Sequence, residues 1–272
     1  MPDGFQTVLA AVTNALFLLG GTYVYLALAR QINSRVTVEA DPEASERTFG
    51  WPDAILAFLL GGLFLLNAAA AADYAGRGGL RTNDLIFNGL LSLALFVFVA
   101  AFVNLRGISV SALAGWAKLG FVRTIATGAL LLLAAYPLIF VADLVSQRVL
   151  DGPSTKQSIV ELFTGSQTLS QRVFVIILAV AIAPVVEEFV FRFFIYGVVK
   201  RYAGRVAGLI VNGALFAAVH AHLPSAGPLF VLAACFTLAY EWSGSILVSM
   251  TMHALFNSLT LVALAFPEAF PQ

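Results

Sequence analysis

The sequence predicts an all-α, polytopic integral membrane bundle of about eight transmembrane helices, and three observations lead to that class. Hydrophobic residues make up 60% of the 272-residue chain and charged residues 11%, against about 25% charged in soluble globular domains. Mean hydropathy is +0.91. The apolar residues gather into runs of about spanning length at 6–29, 53–73, 84–105, 121–145, 173–199, 206–222, 227–242 and 245–266, a crossing helix needing about 20 residues. Formal net charge is zero and no basic cluster exceeds Lys200-Arg201, which speaks against nucleic acid as a partner. Cys235 is the single cysteine, so internal disulfides and multi-cysteine metal clusters are excluded.

The first run is a spanning helix and not a secretory leader. Met1 to Thr7 offers no Lys or Arg for a basic n-region, and Val8 to Ala29 is too long for a leader's apolar core. Asn14, Asn67, Asn88 and Asp143 lie in the first four runs; the asparagines read as interhelical hydrogen bonds, and Asp143 sits near enough to a helix end to be wetted. Gly20-Gly21, Gly61-Gly62 and the alanines at 68–72 read as close helix packing. Gln31–Pro52 is an acidic connection, Ser109–Lys118 is expected along the interface, and Gln147–Gln171 joins the halves. The chain therefore divides into a four-helix membrane region (1–146), a polar connection (147–171), a second set of membrane helices (172–266) and a short tail (267–272).

Loop charges set the expected orientation. Arg30, Arg35, Arg47, Arg106, Lys118, Arg123, Lys200, Arg201 and Arg205 fall on one side, and Arg77, Arg81, Arg148, Lys156 and Arg172 on the other. The positive-inside rule then puts both termini outside.

The fifth run carries the chemistry. Ala183-Pro184-Val185-Val186-Glu187-Glu188-Phe189-Val190-Phe191-Arg192 sets two carboxylates and a guanidinium inside an apolar helix, and intramembrane ionisable residues mark functional sites by default. On an α-helix Glu188 and Arg192 share a face while Glu187 sits about 100° away. Glu188 is thus neutralised by Arg192, and Glu187 is left as the free carboxylate. Pro184 cannot donate to the carbonyl of Val180 and opens the helix one turn earlier.

Two later runs hold the remaining polar intrusions. Phe216 and His220 are four apart, as are His253 and Asn257, so each pair shares a helix face. At 1.5 Å per residue, Glu187 lies roughly 18 Å, His220 about 21 Å and His253 about 12 to 17 Å from one common interface. Three helices therefore bring Glu, His, His and Asn to one level. His222 faces elsewhere and reads as a hydrogen-bonded helix-end residue, while Tyr240, Glu241 and Trp242 read as an interfacial belt.

Glu-Glu-x-x-x-Arg, Phe-x-x-x-His and His-x-x-x-Asn, in that order on successive membrane helices, resemble the CPBP intramembrane proteases, the family of type II CAAX prenyl endopeptidases and Abi bacteriocin-processing or immunity proteins. The likeness covers roughly 170–262 and holds at Glu187, Glu188, Arg192, Phe216, His220, His253 and Asn257. It implies an intramembrane endopeptidase that hydrolyses a peptide bond in a membrane-associated, CAAX-prenylated or other, peptide or protein. Glu187 and His220 would activate water, His253 and Asn257 would hold the oxyanion, and Glu188, Arg192 and Phe216 would support the site.

No cofactor is favoured. Zinc on Glu187, His220 and His253 is the alternative, weakened because no His-Glu-x-x-His helix is present and Asn is a poor zinc ligand. From another class comes a non-catalytic membrane immunity or scaffold protein using the same cavity to bind a peptide partner. A proton-coupled carrier fits less well, since the polar residues cluster at one level. Short loops and compact length point to a multi-pass protein of a bacterial plasma membrane.

Overall fold

The computed structural model describes residues 4–36, 49–74, 82–111, 115, 118–150, 163–166, 168–266 and 268. Arg47, Arg77, Arg81, Lys156, most of the connection at 147–171, parts of Gln31–Pro52 and Ser109–Lys118, and the tail apart from Glu268 lie outside the described residues, as does the side chain of Asn88.

Every regular element among the described residues is helical. The first half contributes α1 (Gly4–Val36), α2 (Trp51–Tyr74), α3 (Thr82–Leu105) and α4 (Phe121–Val149). A long rod follows, made of α5 (Leu169–Ile177), a π-helical turn (Leu178–Ile182), α6 (Ala183–Glu187), a second π segment (Glu188–Ile195) and α7 (Tyr196–Val219). A 3-10 turn (Leu223–Ser225), α8 (Ala226–Ser243) and α9 (Ile246–Ala265) complete the bundle.

Six helices among the described residues are long and apolar enough to cross a membrane, against the eight runs in the sequence. Two local features account for the difference. The described apolar part of α3 is only Gly89–Leu105, and the fifth and sixth runs follow each other without an intervening coil, as Leu169–Val219. That rod breaks at Gly204, whose φ of 84° and ψ of 170° are not helical. Gly208 lies against the Tyr196 ring and the Lys200 backbone, residues that a straight helix would hold about 12 to 18 Å away. The rod therefore folds back on itself as two arms.

The backbone at Gly204 belongs to a region that is essentially reserved for glycine, with a cost of order 1–3 kcal/mol for other residues. Gly204→Ala is expected to lower the melting temperature in detergent by that much stability. Unchanged melting would place the reversal elsewhere.

Burial follows the pattern of a bundle in lipid. Large apolar side chains such as Phe58 (80% exposed) and Leu130 (67%) cover the outer surfaces, where acyl chains replace water as the solvent. A continuous inner cluster runs from Tyr25, Leu60 and Val99 through Leu132 and Phe193 to Phe236 and Met252. Within it the Tyr25 hydroxyl donates to the Leu131 carbonyl at 2.9 Å.

Close packing of glycines is narrower than the sequence implied. A Cβ on Gly21 would collide with the Ala134 carbonyl oxygen and lie 2.8 Å from Pro137 Cγ, so α1 and α4 touch there. Gly20 and Gly62 face open space, and Gly61 meets only Leu215 at ordinary contact distance. Asn14 and Asn67 are exposed on outer faces, as are Ala69 and Ala70. The interhelical amide bond is instead made by Asn212, whose Nδ2 donates to Thr237 Oγ1 at 3.0 Å.

One end of the bundle is basic and firmly tied. Glu241 holds both Lys200 and Arg205, and Arg205 also donates to Asn33 Oδ1 at 2.9 Å. Trp242 Nε1 donates to Gln31 Oε1, and Arg35 Nη1 to the Trp242 carbonyl, both at 2.8 Å. Arg106 stands 3.4 Å from Asp53, and Lys118 lies against Gly244 between α8 and α9. This is the end that the positive-inside rule assigns to the cytoplasmic side, and it is where the Tyr240-Glu241-Trp242 belt was expected.

Candidate active site

The site begins with an irregular backbone. In the first π turn the Ala183 N–H donates to the Leu178 carbonyl, a pairing one residue wider than in an α-helix. Under that spacing the next donor, to Ala179, would come from residue 184, which is a proline and has no N–H. The Ala179 carbonyl is therefore open, and Asn257 Nδ2 of α9 donates to it at 2.8 Å. The sequence placed the opening at Val180 because it assumed α-helical spacing; the π turn moves it back by one residue.

Glu188, the first residue of the second π segment, is fully buried. Its Oε1 lies 3.0 Å from Arg192 Nη1, the pair expected from the i, i+4 spacing. The same oxygen accepts from His253 Nδ1 at 2.9 Å, a contact the sequence reading did not foresee. His253 Nε2 then faces Glu187 Oε2 at 3.9 Å. The imidazole thus stands between the two acids, tightly held by Glu188 and loosely opposed by Glu187. Glu187 is the more open of the two, with 29% of its side chain exposed against none for Glu188.

Arg192 is entirely buried, and its charge is balanced by more than Glu188. The guanidinium carbon sits 4.2 Å from the Phe216 ring centroid and 5.2 Å from that of Phe236. Aromatic faces attract a cation electrostatically, and more strongly where water is absent. An arginine can therefore reside at this depth beside a single carboxylate.

Phe216 is the hub. Its ring is 4.8 Å from His220 and 5.9 Å from His253, centroid to centroid, and it packs edge-on against Phe191 at 5.4 Å. His220 caps the end of α7, and its Nδ1 donates to the Phe216 carbonyl at 2.7 Å. A carbonyl can only accept, so Nδ1 carries a proton, and Nε2 is the nitrogen not used in that bond. Ala221, with φ of 48°, turns the chain away directly after it.

The geometry brings Glu187, Glu188, Arg192, His253 and Phe216 together, sets His220 against the Phe216 ring, and fastens Asn257 to the first π turn. His222 bonds Ser225 Oγ through Nδ1 at 2.7 Å, and Glu241 belongs to the basic end. Phe236, which stacks near both Arg192 and His253 at 5.2 and 5.3 Å, was missed; a phenylalanine in an apolar helix carries no signal of its own. Among the described residues no three His, Cys, Asp or Glu side chains stand together so as to hold a metal ion. Glu187, His220 and His253 do not form such a group there.

Fold and site together define an integral membrane protein of the all-α class built around a buried cluster of acids, imidazoles and arginine. Residues 169–259, about a third of the chain, match the family described as type II CAAX prenyl endopeptidase Rce1-like. Over that stretch the chain is similar to this family. α1 to α4 lie outside it. No curated protein and no solved structure matches the chain.

Proposed function

We propose that the chain is a glutamate-type endopeptidase that hydrolyses a peptide bond in a membrane-associated peptide or protein, without a resident metal. The observation that carries the reading is the His253 imidazole held by Glu188 on one nitrogen and opposed across 3.9 Å by the half-open Glu187 on the other. That gap is too long for a direct hydrogen bond, and a water lying to one side of it can bond to both groups.

Glu187, which has no lysine or arginine within ion-pair distance among the described residues, takes a proton from the attacking water, and the Nε2 lone pair of His220 shares the load. The oxygen adds to the scissile carbonyl, and charge moves onto its oxygen. In its imidazolium form His253 keeps its Nδ1–H on Glu188 and donates its Nε2–H to that oxyanion, together with the second N–H of Asn257, the one not spent on Ala179. The proton then passes to the leaving amine as the C–N bond breaks. Glu188 and Arg192 keep His253 in place, and Phe216 spaces the two imidazoles. The bilayer of a bacterial plasma membrane is the proposed setting.

The test is the purified chain in vesicles with prenylated and unprenylated peptide libraries, with and without a chelator, products being read by mass spectrometry. Cleavage that is indifferent to the chelator is expected. Loss of cleavage restored by zinc would overturn the metal-free mechanism, and binding of peptide without any cleavage would favour the immunity or scaffold reading.

A further inference from the structure

A cavity of about 280 Å³ opens between α4, the 3-10 turn, α8 and α9. Tyr136, Phe140, Leu229, Leu232 and Phe256 make most of its wall, and Asp143 is the charged group in it. Asp143 is half-buried and takes one hydrogen bond, from Gln147 Nε2 to Oδ2 at 2.7 Å. The other acids within the helices whose side chains are described are accounted for. Asp53 has Arg106, Glu188 has Arg192, Glu241 has Lys200 and Arg205, and Glu187 faces His253. Asp143 has no cationic partner among the described residues.

An acid without a counter-charge at the end of an apolar slot is complementary to one chemistry, a cation on a hydrocarbon stem. Lysine and arginine have that form: their methylenes lie along apolar surface while the head keeps its charge. Size agrees. Ligand pockets for whole small molecules run from roughly 300 to 1,000 Å³, so this cavity, at the bottom of that range, suits one long side chain. Asp143 precedes Val149, the last residue of α4, by six positions, or about 9 Å, a depth at which an ion pair is stronger than in water yet still reachable.

We propose that this cavity receives a lysine or arginine side chain of the peptide substrate, with its stem against Tyr136, Leu232 and Phe256 and its head on Asp143. The proposal rests on the peptide-substrate reading above. Its link to the site is covalent: Phe256 is the neighbour of Asn257 and three residues from His253, so a peptide lying across the imidazole presents an adjacent side chain to the cavity.

Binding, measured without turnover, tests it. In the Glu187→Gln background, a series of labelled apolar peptides carries a single Lys stepped along the chain, beside the same series with norleucine. At one position the Lys peptide is expected to bind roughly tenfold tighter, a difference of about 1.4 kcal/mol. Asp143→Asn should erase that preference, and Asp143→Lys should transfer it to a Glu-bearing peptide; Asp143→Ser replaces the asparagine variant should that one fail to fold. Equal binding of Lys and norleucine peptides at every position, no peptide binding at all, or a Lys preference that survives Asp143→Asn, overturns the proposal. A chain that keeps the Lys preference yet cuts nothing removes the protease reading alone, and one that cuts with indifference to Asp143 removes only this one.

Discussion

Glu187→Gln is expected to lower cleavage by about 10²- to 10⁴-fold, the contribution typical of a positioned general base, with the melting temperature close to that of the unaltered chain. The two halves of that expectation come from the same contacts. Glu187 makes no bond shorter than its 3.9 Å approach to His253, and 29% of its side chain is exposed, so an isosteric amide strands no buried partner. Glutamine keeps the shape and loses the ability to accept a proton. Peptide turnover measured beside thermal unfolding separates the two effects. Cleavage within a few-fold of the original would remove Glu187 from the chemistry, and the base would have to be sought at His220.

Arg192→Met is expected to destabilise the chain by about 3–5 kcal/mol, the cost of leaving one member of a buried ion pair alone. Glu188 would keep only His253 as a partner, and the faces of Phe216 and Phe236 would lose the cation they sandwich. The double variant Glu188→Gln with Arg192→Met removes both charges. It should recover much of the stability, since buried pairs are often replaced by neutral groups at little net cost, and the two substitutions are in contact and so do not add. Activity should not recover with it, because His253 Nδ1 then donates to an amide in place of a carboxylate. Melting and turnover measured on both singles and the double decide the matter. A fully stable Arg192→Met would mean that Glu188 needs no cation.

What the sequence disclosed and what it hid divide along a physical line. Relations within one helix were legible: Glu188 with Arg192, and Phe216 with His220, follow from a spacing of four residues. Relations between helices were not, since they depend on which helices are neighbours and at what angle they cross. The Glu188–His253 bond joins residues 65 apart, and the Asn257–Ala179 bond joins residues 78 apart. The spans themselves were clear from hydropathy, and the gap between the runs ending at 199 and starting at 206 held the reversal, although nothing in it singled out Gly204. Gly20-Gly21 and Gly61-Gly62 looked alike in sequence. Only Gly21 is pressed against a neighbouring backbone, and composition cannot say which of two adjacent glycines faces inward. Asp143, set aside as a wetted helix-end residue, drew notice only once the apolar walls around it were known.

The two π segments carry a consequence for any edit of chain length. Each wider turn takes up one more residue than α-helical pairing would, so everything downstream is set back by about 100° relative to an uninterrupted helix. Deleting a single residue between Leu178 and Ile182 would therefore let the run close as an ordinary α-helix with Glu187 and Glu188 still on the face they now present to His253. The same deletion in the regular α-helix Leu169–Ile177 has no surplus residue to absorb it, and would turn the start of the rod by about 100° against both acids.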